Sequence, residues 1–364
     1  MIGPRTALAA AALAVAAQFV FAAAPRKGAQ EEAVAAEIAR WAAFLKASPP
    51  SDDFLKEIRQ STGPALVRAQ KALADEHSLL AMLRLGSLHE GLTAATYVGQ
   101  RPAEQRKDNA AFEQEWKRVG MDLRPQLEPP ASGAFDGLRP ALLRGMAEAA
   151  QPQVRIYYDA SLEYGRNTTP DSGLYYLGAA QAARDFGGLA RRLSDATAPA
   201  APPLRALGAD LDVLEGEMLA AYRPPLSIDK HREFIGASSA LKEARELDAA
   251  GLRAGALLRY LLAAMRFGAL RAPTPTNAPA LSESLRAEAA RLGKRGVDHS
   301  LGRVFVEAAQ GDLGDHAADG QALTAAAVVK EVLPRYFAAL EPAAPPPPKP
   351  AARATVTLVR WPYT

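Results

Sequence analysis

The chain has 364 residues, 49% of them hydrophobic and 23% charged, a globular composition long enough for one large core or two domains. Its formal charge of +3 comes from 43 basic and 40 acidic residues interleaved along the sequence, so no basic stripe for neutralising phosphates stands out and nucleic acid is not an expected partner. Cysteine is absent, which excludes disulfides, a thiol nucleophile, a thiolate metal site and a lipid-modified cysteine.

Residues 1–24 carry Arg5, an apolar run from Ala7 to Phe21 broken only by Gln18, and then Ala22-Ala23-Ala24. That is the charged, apolar and small-residue order of a secretory signal peptide. A cut after Ala24 sets Pro25 at the scissile bond, and a cut after Ala22, with Val20 three positions before the bond, avoids it. An uncut segment has about the 20 residues a bilayer span needs and would act as an anchor. Export without cysteine points to a periplasmic or secreted protein of a bacterial envelope.

Helical periodicity then dominates. In the N-terminal helical region, 25–128, Val34, Ile38, Trp41 and Leu45 recur at steps of four, three and four and form one stripe. Proline-bearing breaks are expected at 48–51, at Gly63-Pro64 and from Arg124-Pro125 to Pro130, where a domain boundary is placed. The main helical region, 129–341, is punctuated again at 198–203, 224–225 and 273–279. Its most apolar stretch, AGALLRYLLAAMRFGAL from Ala254, contains Arg259 and Arg266, which rule out a simple membrane span. Aromatics make up only 7% of the chain, so the core must be packed mainly with Ala, Leu and Val between closely approaching helices. The fold expected is all-α, an irregular bundle or stack of αα-hairpins.

The best-defined turn is EYGRNTTPDSGLYY, in which Gly165 can end one helix while Thr169 caps the next, Pro170 takes its first position and Asp171 faces its dipole. No repeat period of the tetratricopeptide kind organises the hairpins. Leu177-Gly178 and Ala190 fit that pattern, but Gln181 stands where it has an aromatic, and Leu85-Gly86 is not a multiple of ~34 residues away.

Half of the ten tyrosines flank this turn: Tyr157, Tyr158, Tyr164, Tyr175 and Tyr176. Tyr157 and Tyr164 are two helical turns apart on one face, and the antiparallel return brings Tyr175 or Tyr176 beside them. Such a groove can stack on sugar rings or hold a peptide, with Arg155 and Arg166 as polar anchors; the competing reading is that the rings fill the space between two Ala-rich helices.

Other motifs are weaker. His299 and His316 lie among Asp298, Glu307, Asp312, Asp315 and Asp319, but neither His-Glu-x-x-His nor a calcium loop is present, and helix capping by Asp298 and Asp319 accounts for the pattern. No metal or other cofactor is assigned. His77 and His89 read as separate half-exposed residues, and His231 as a first-turn surface residue. Ser227–Lys230 and Ser239–Lys242 match Ser-x-x-Lys without the Ser-x-Asn and Lys-Thr-Gly elements that give it meaning, and Ser227 reads as a helix cap.

A Pro-rich linker, 342–353, leads to a strand-like tail, 354–364. Val356, Leu358, Val359, Trp361 and Tyr363 suit docking, either on the chain's own helices or by strand addition to a partner. The sequence-based expectation is thus an exported, non-catalytic helical binding or scaffolding protein whose partner is an envelope protein or glycan. The alternative is an all-α hydrolase of an envelope polymer, with the 299–319 segment supplying metal ligands or acid–base groups.

Overall fold

The computed structural model describes residues 27–47, 53–224, 227–271, 278–293, 296–314 and 319–342. The leader pattern at 1–24, the linker from 343 and the tail with Val356, Leu358, Val359, Trp361 and Tyr363 lie outside the described residues. The fold is all-α. Its helices are α1 (Lys27–Lys46), α2 (Asp53–Ala74), α3 (Ser78–Gly99), α4 (Asn109–Leu127), α5 (Ala141–Asn167), α6 (Pro170–Arg192) and α7 (Gly208–Ala221), followed by α8 (His231–Ala249), α9 (Arg253–Leu270), α10 (Ala278–Leu292), α11 (Ser300–Gly314), α12 (Asp319–Ala327) and α13 (Leu333–Leu340). A π-helical turn, Val328–Val332, joins the last two, and no strand occurs among the described residues. None of the described helices is long and apolar enough to cross a membrane.

Three helical hairpins, α2–α3, α5–α6 and α8–α9, make the body, with α6 also packed on α3 and α9 on α5. The stripe of Val34, Ile38 and Trp41 is buried as its spacing requires. One apolar cluster joins it to Leu142, Leu257 and Tyr336, and a second joins Phe112 and Val119 of α4 to Val154 and Leu177, so both cross position 128.

One expected break is absent: Pro64 lies inside α2, and Pro152 is likewise accommodated inside α5. The break expected from Arg124-Pro125 to Pro130 is present, with Pro125 in the last turn of α4 and no helix from 128 to 140. In α2 the buried residues Thr62, Leu66, Ala69 and Ala72 continue one stripe past the proline, and burying that stripe outweighs the ~3 kcal/mol cost of an internal proline. Gly165 does not end its helix either. A Cβ there would meet the Phe112 ring at 2.3 Å, so the glycine admits Phe112 as a wedge, and α5 runs on to Asn167. Thr169 caps α6 as expected, its hydroxyl accepting from Ser172 N at 3.2 Å, with Pro170 at the first position.

Small residues let the helices approach. A Cβ on Gly145 would stand 3.0 Å from the Ala254 carbonyl and one on Gly255 2.9 Å from Glu148 Cβ, which fixes the α5–α9 crossing. At that crossing Glu148, 0% exposed, accepts from Arg144 Nε at 2.6 Å and from Gly255 N, in the first turn of α9, at 2.8 Å. Asp298 works the same way. It caps its own helix through Ser300 N at 2.8 Å and also accepts from Ala141 N at the start of α5, while Ser300 Oγ accepts from Leu142 N at 2.9 Å. Asp248 accepts from Leu207 N at 3.1 Å, ahead of α7, and pairs with Arg253. Buried carboxylates on one helix thus satisfy the free amides of another.

Glu148→Ala is expected to lower unfolding free energy by about 3–5 kcal/mol in urea denaturation, because it leaves Arg144 and the Gly255 amide unpaired in the core.

Candidate functional site

The hairpin gathers four of its five tyrosines. Tyr164 of α5 stacks on Tyr176 of α6 with ring centroids 4.6 Å apart, Tyr157 lies 6.3 Å from Tyr176, and Tyr175 meets Tyr176 edge-on at 5.8 Å. Seven residues are almost two full turns, so Tyr157 and Tyr164 share a face as their spacing implies. Tyr158 does not join them. One residue further is about 100° further round the helix, which carries its ring inward to stack on Trp116 at 4.8 Å, with its hydroxyl donating to the Trp116 carbonyl at 3.2 Å.

The two arginines also stand apart from this face. Arg155 and Arg166 are each about 200° round α5 from the nearest face tyrosine. Arg155 pairs with Asp159 at 3.5 Å, and Arg166 reaches across to Glu113 of α4 at 3.0 Å.

Other polar groups back the tyrosine face. The Tyr157 hydroxyl donates to Glu90 of α3, within reach of the Arg259–Glu243 pair, which closes at 2.9 Å between α9 and α8. Burial pushes the Glu90 carboxyl above its ordinary range, against the opposing pull of the Tyr157 hydrogen bond and of Arg259. Burial, and then the Glu90 charge, push the Tyr157 phenol up as well. Tyr176 is raised by burial and next by its neighbour Tyr164, to which it is hydrogen-bonded. Glu90 is the single acidic residue of a mostly apolar helix, and Arg259 interrupts the most apolar stretch of the main helical region. Both irregularities are visible in the sequence as signals of a buried polar partner.

The remaining motif residues go separate ways. His299 Nδ1 lies 2.9 Å from the Tyr336 hydroxyl, Glu307 pairs with His77 at 3.5 Å and Arg303 at 3.2 Å, and Asp312 faces Arg84 at 3.4 Å. Asp298 is occupied by the two helix starts described above, Asp315 and His316 lie outside the described residues, and no group of three or more metal-ligating side chains occurs among the described ones. His89 is 6% exposed rather than half-exposed, because Trp41 and Phe186 enclose its ring. Its Nδ1 lies 3.1 Å from Glu37. Burial opposes ionisation of Glu37, but hydrogen bonds to His89 and Arg40 lower its pKa to about 2. Ser227 caps nothing with its side chain; the hydroxyl instead accepts from Arg223 N at 2.7 Å, and Lys230 Nζ is taken up by the Leu270 carbonyl at 3.0 Å. His231 opens α8 at the surface, its Nδ1 2.7 Å from the Tyr222 hydroxyl.

No known family, characterised protein or solved structure matches this chain.

The sign of the Glu90 effect follows from its raised pKa. A carboxyl whose folded pKa lies above its unfolded value stabilises the fold below the unfolded pKa, near 4.5, and that contribution is lost as pH rises through the folded value. Glu90→Gln is therefore expected to match the wild type in thermal melts at pH 4 and to melt higher than it at pH 7.

Proposed function

We propose that the chain is a non-catalytic binding component of the bacterial cell envelope, and that the tyrosine face of the α5–α6 hairpin holds a glycan. One contrast carries the reading. Tyr158, which fills the interhelical space, is 8% exposed, whereas Tyr164 keeps 42% of its surface open while stacked on Tyr176. A ring that served only as filler would be enclosed like Tyr158. An open, pre-stacked pair offers a flat apolar platform at low entropic cost, with phenol hydroxyls at its edge to read sugar hydroxyls. The envelope location is supported by the order of residues 1–24.

Calorimetry with soluble N-acetylglucosamine oligomers and peptidoglycan fragments tests the platform. Binding that falls at least tenfold in Tyr164→Ala, with little change in melting temperature, is expected; a wild-type chain that binds none of these sugars overturns the reading. N-terminal sequencing of the native protein tests the location: a start near Ala23 or Pro25 is expected, and an intact Met1 in a cytoplasmic fraction overturns it.

A hydrolase reading draws on a single observation, the buried carboxyl of Glu90 with raised pKa close to the Arg259-paired Glu243, an arrangement suited to an acid and a second carboxylate. Release of reducing ends from the same oligomers, lost in Glu90→Gln while binding persists, would establish it in place of the binding role.

A further inference from the structure

A cleft of about 450 Å³ opens away from the hairpin turn, between the end of α4, the middle of α5 and the last turns of α6. That volume falls in the ~300–1,000 Å³ range of small-ligand sites. Part of its wall is small and apolar, with Ala147, Ala150 and Val154 from α5, Ala183 from α6, and Pro125 and Pro130, and the rest is polar. Its charge is one-sided. The only acid in the lining, Asp185, is paired with Arg184 at 2.8 Å. Arg191 and Arg192 have no carboxylate partner among the described residues; Arg191 rests on the Phe135 ring at 4.4 Å and Arg192 reaches back over Gly188. Gly188 leaves room in the helix wall, because a Cβ there would meet nothing but Arg192 Nη1, at 3.5 Å.

One polar group beside the cleft lacks a partner. Gln151 Nε2 donates to the Gln126 main-chain carbonyl at 2.9 Å, while the Gln126 side-chain oxygen is buried and makes no hydrogen bond. An unmet buried acceptor is destabilising, so turning it toward an N–H in the cleft is favourable. Two guanidiniums without a carboxylate partner, a wall of small apolar residues and an acceptor in want of a donor together describe one chemistry: an amide N–H flanked by small side chains and ending in a carboxylate.

We propose that this cleft binds a short peptide with small side chains through its free terminal carboxylate, held by Arg191 and Arg192. The site is separate from the tyrosine face, and its assignment does not depend on the glycan reading.

Calorimetry on the full chain with N-acetyl-alanyl-alanine, its C-terminal amide and inorganic phosphate tests the assignment. The acid is expected to bind, and amidation, Arg191→Gln or Arg192→Gln to weaken it at least tenfold. Gly188→Leu should abolish binding by filling the cleft while leaving the melting temperature equal or higher, since leucine is the better helix former. Tyr164→Ala should leave peptide affinity unchanged. The proposal is overturned if the acid gives no binding, if the amide binds as well as the acid, if Gly188→Leu or both arginine variants retain affinity, or if phosphate competes at equal concentration, which would make the arginines a general anion patch.

Discussion

Trans-capping of helix starts by buried carboxylates is the interaction on which this architecture depends. Helix N-termini that end inside a protein leave amide groups no water can reach. Glu148 answers for the start of α9, Asp298 with Ser300 for the start of α5, and Asp248 for the amide before α7. Each acid lies on or just before a different helix from the one it serves, so these bonds fix which helix begins where against which neighbour. Apolar packing by alanine and leucine could tolerate a slide of one turn; a hydrogen bond to a named amide cannot.

The α5–α6 hairpin gains most from this anchoring. Its start is held by Asp298 and Ser300, its middle is pressed on α9 through Gly145, and its turn is wedged by Phe112 at Gly165. Two surfaces result, one built of tyrosine rings and one of alanine and arginine, and neither relies on a loop for its shape. Rigid helices keep Tyr164 stacked, so a ligand bound there would meet little ordering cost.

Local chemistry made much of this legible in the sequence. The stripe of Val34, Ile38 and Trp41, the Thr169 cap with Pro170, the common face of Tyr157 and Tyr164 and the capping role of Asp298 all follow from spacing or side-chain type within a few residues. Where distant partners decide, the sequence is silent or misleading. Pro64 looks like a break because the burial that holds α2 together comes from other helices. The turn between α2 and α3 has neither glycine nor proline: Glu76 itself takes φ 61°, closing a bond from His77 N to the Ala72 carbonyl at 2.8 Å. Tyr158 and Arg166 could not be separated from the tyrosine face by type, since both were assigned by proximity in sequence and are claimed by Trp116 and Glu113 of α4.

Close approach at glycine and alanine also shapes how stability responds to temperature. Alanine is about as frequent as leucine among the buried apolar residues, and each alanine removes far less apolar surface from water than a leucine or phenylalanine does. The heat capacity of unfolding scales with that surface, so it should fall below the usual ~12–15 cal/mol/K per residue. A smaller heat capacity flattens the curve of free energy against temperature. To the extent that alanine replaces larger side chains at its crossings, the bundle is expected to show a flatter maximum and to be weakened less by cooling than a core filled with large side chains.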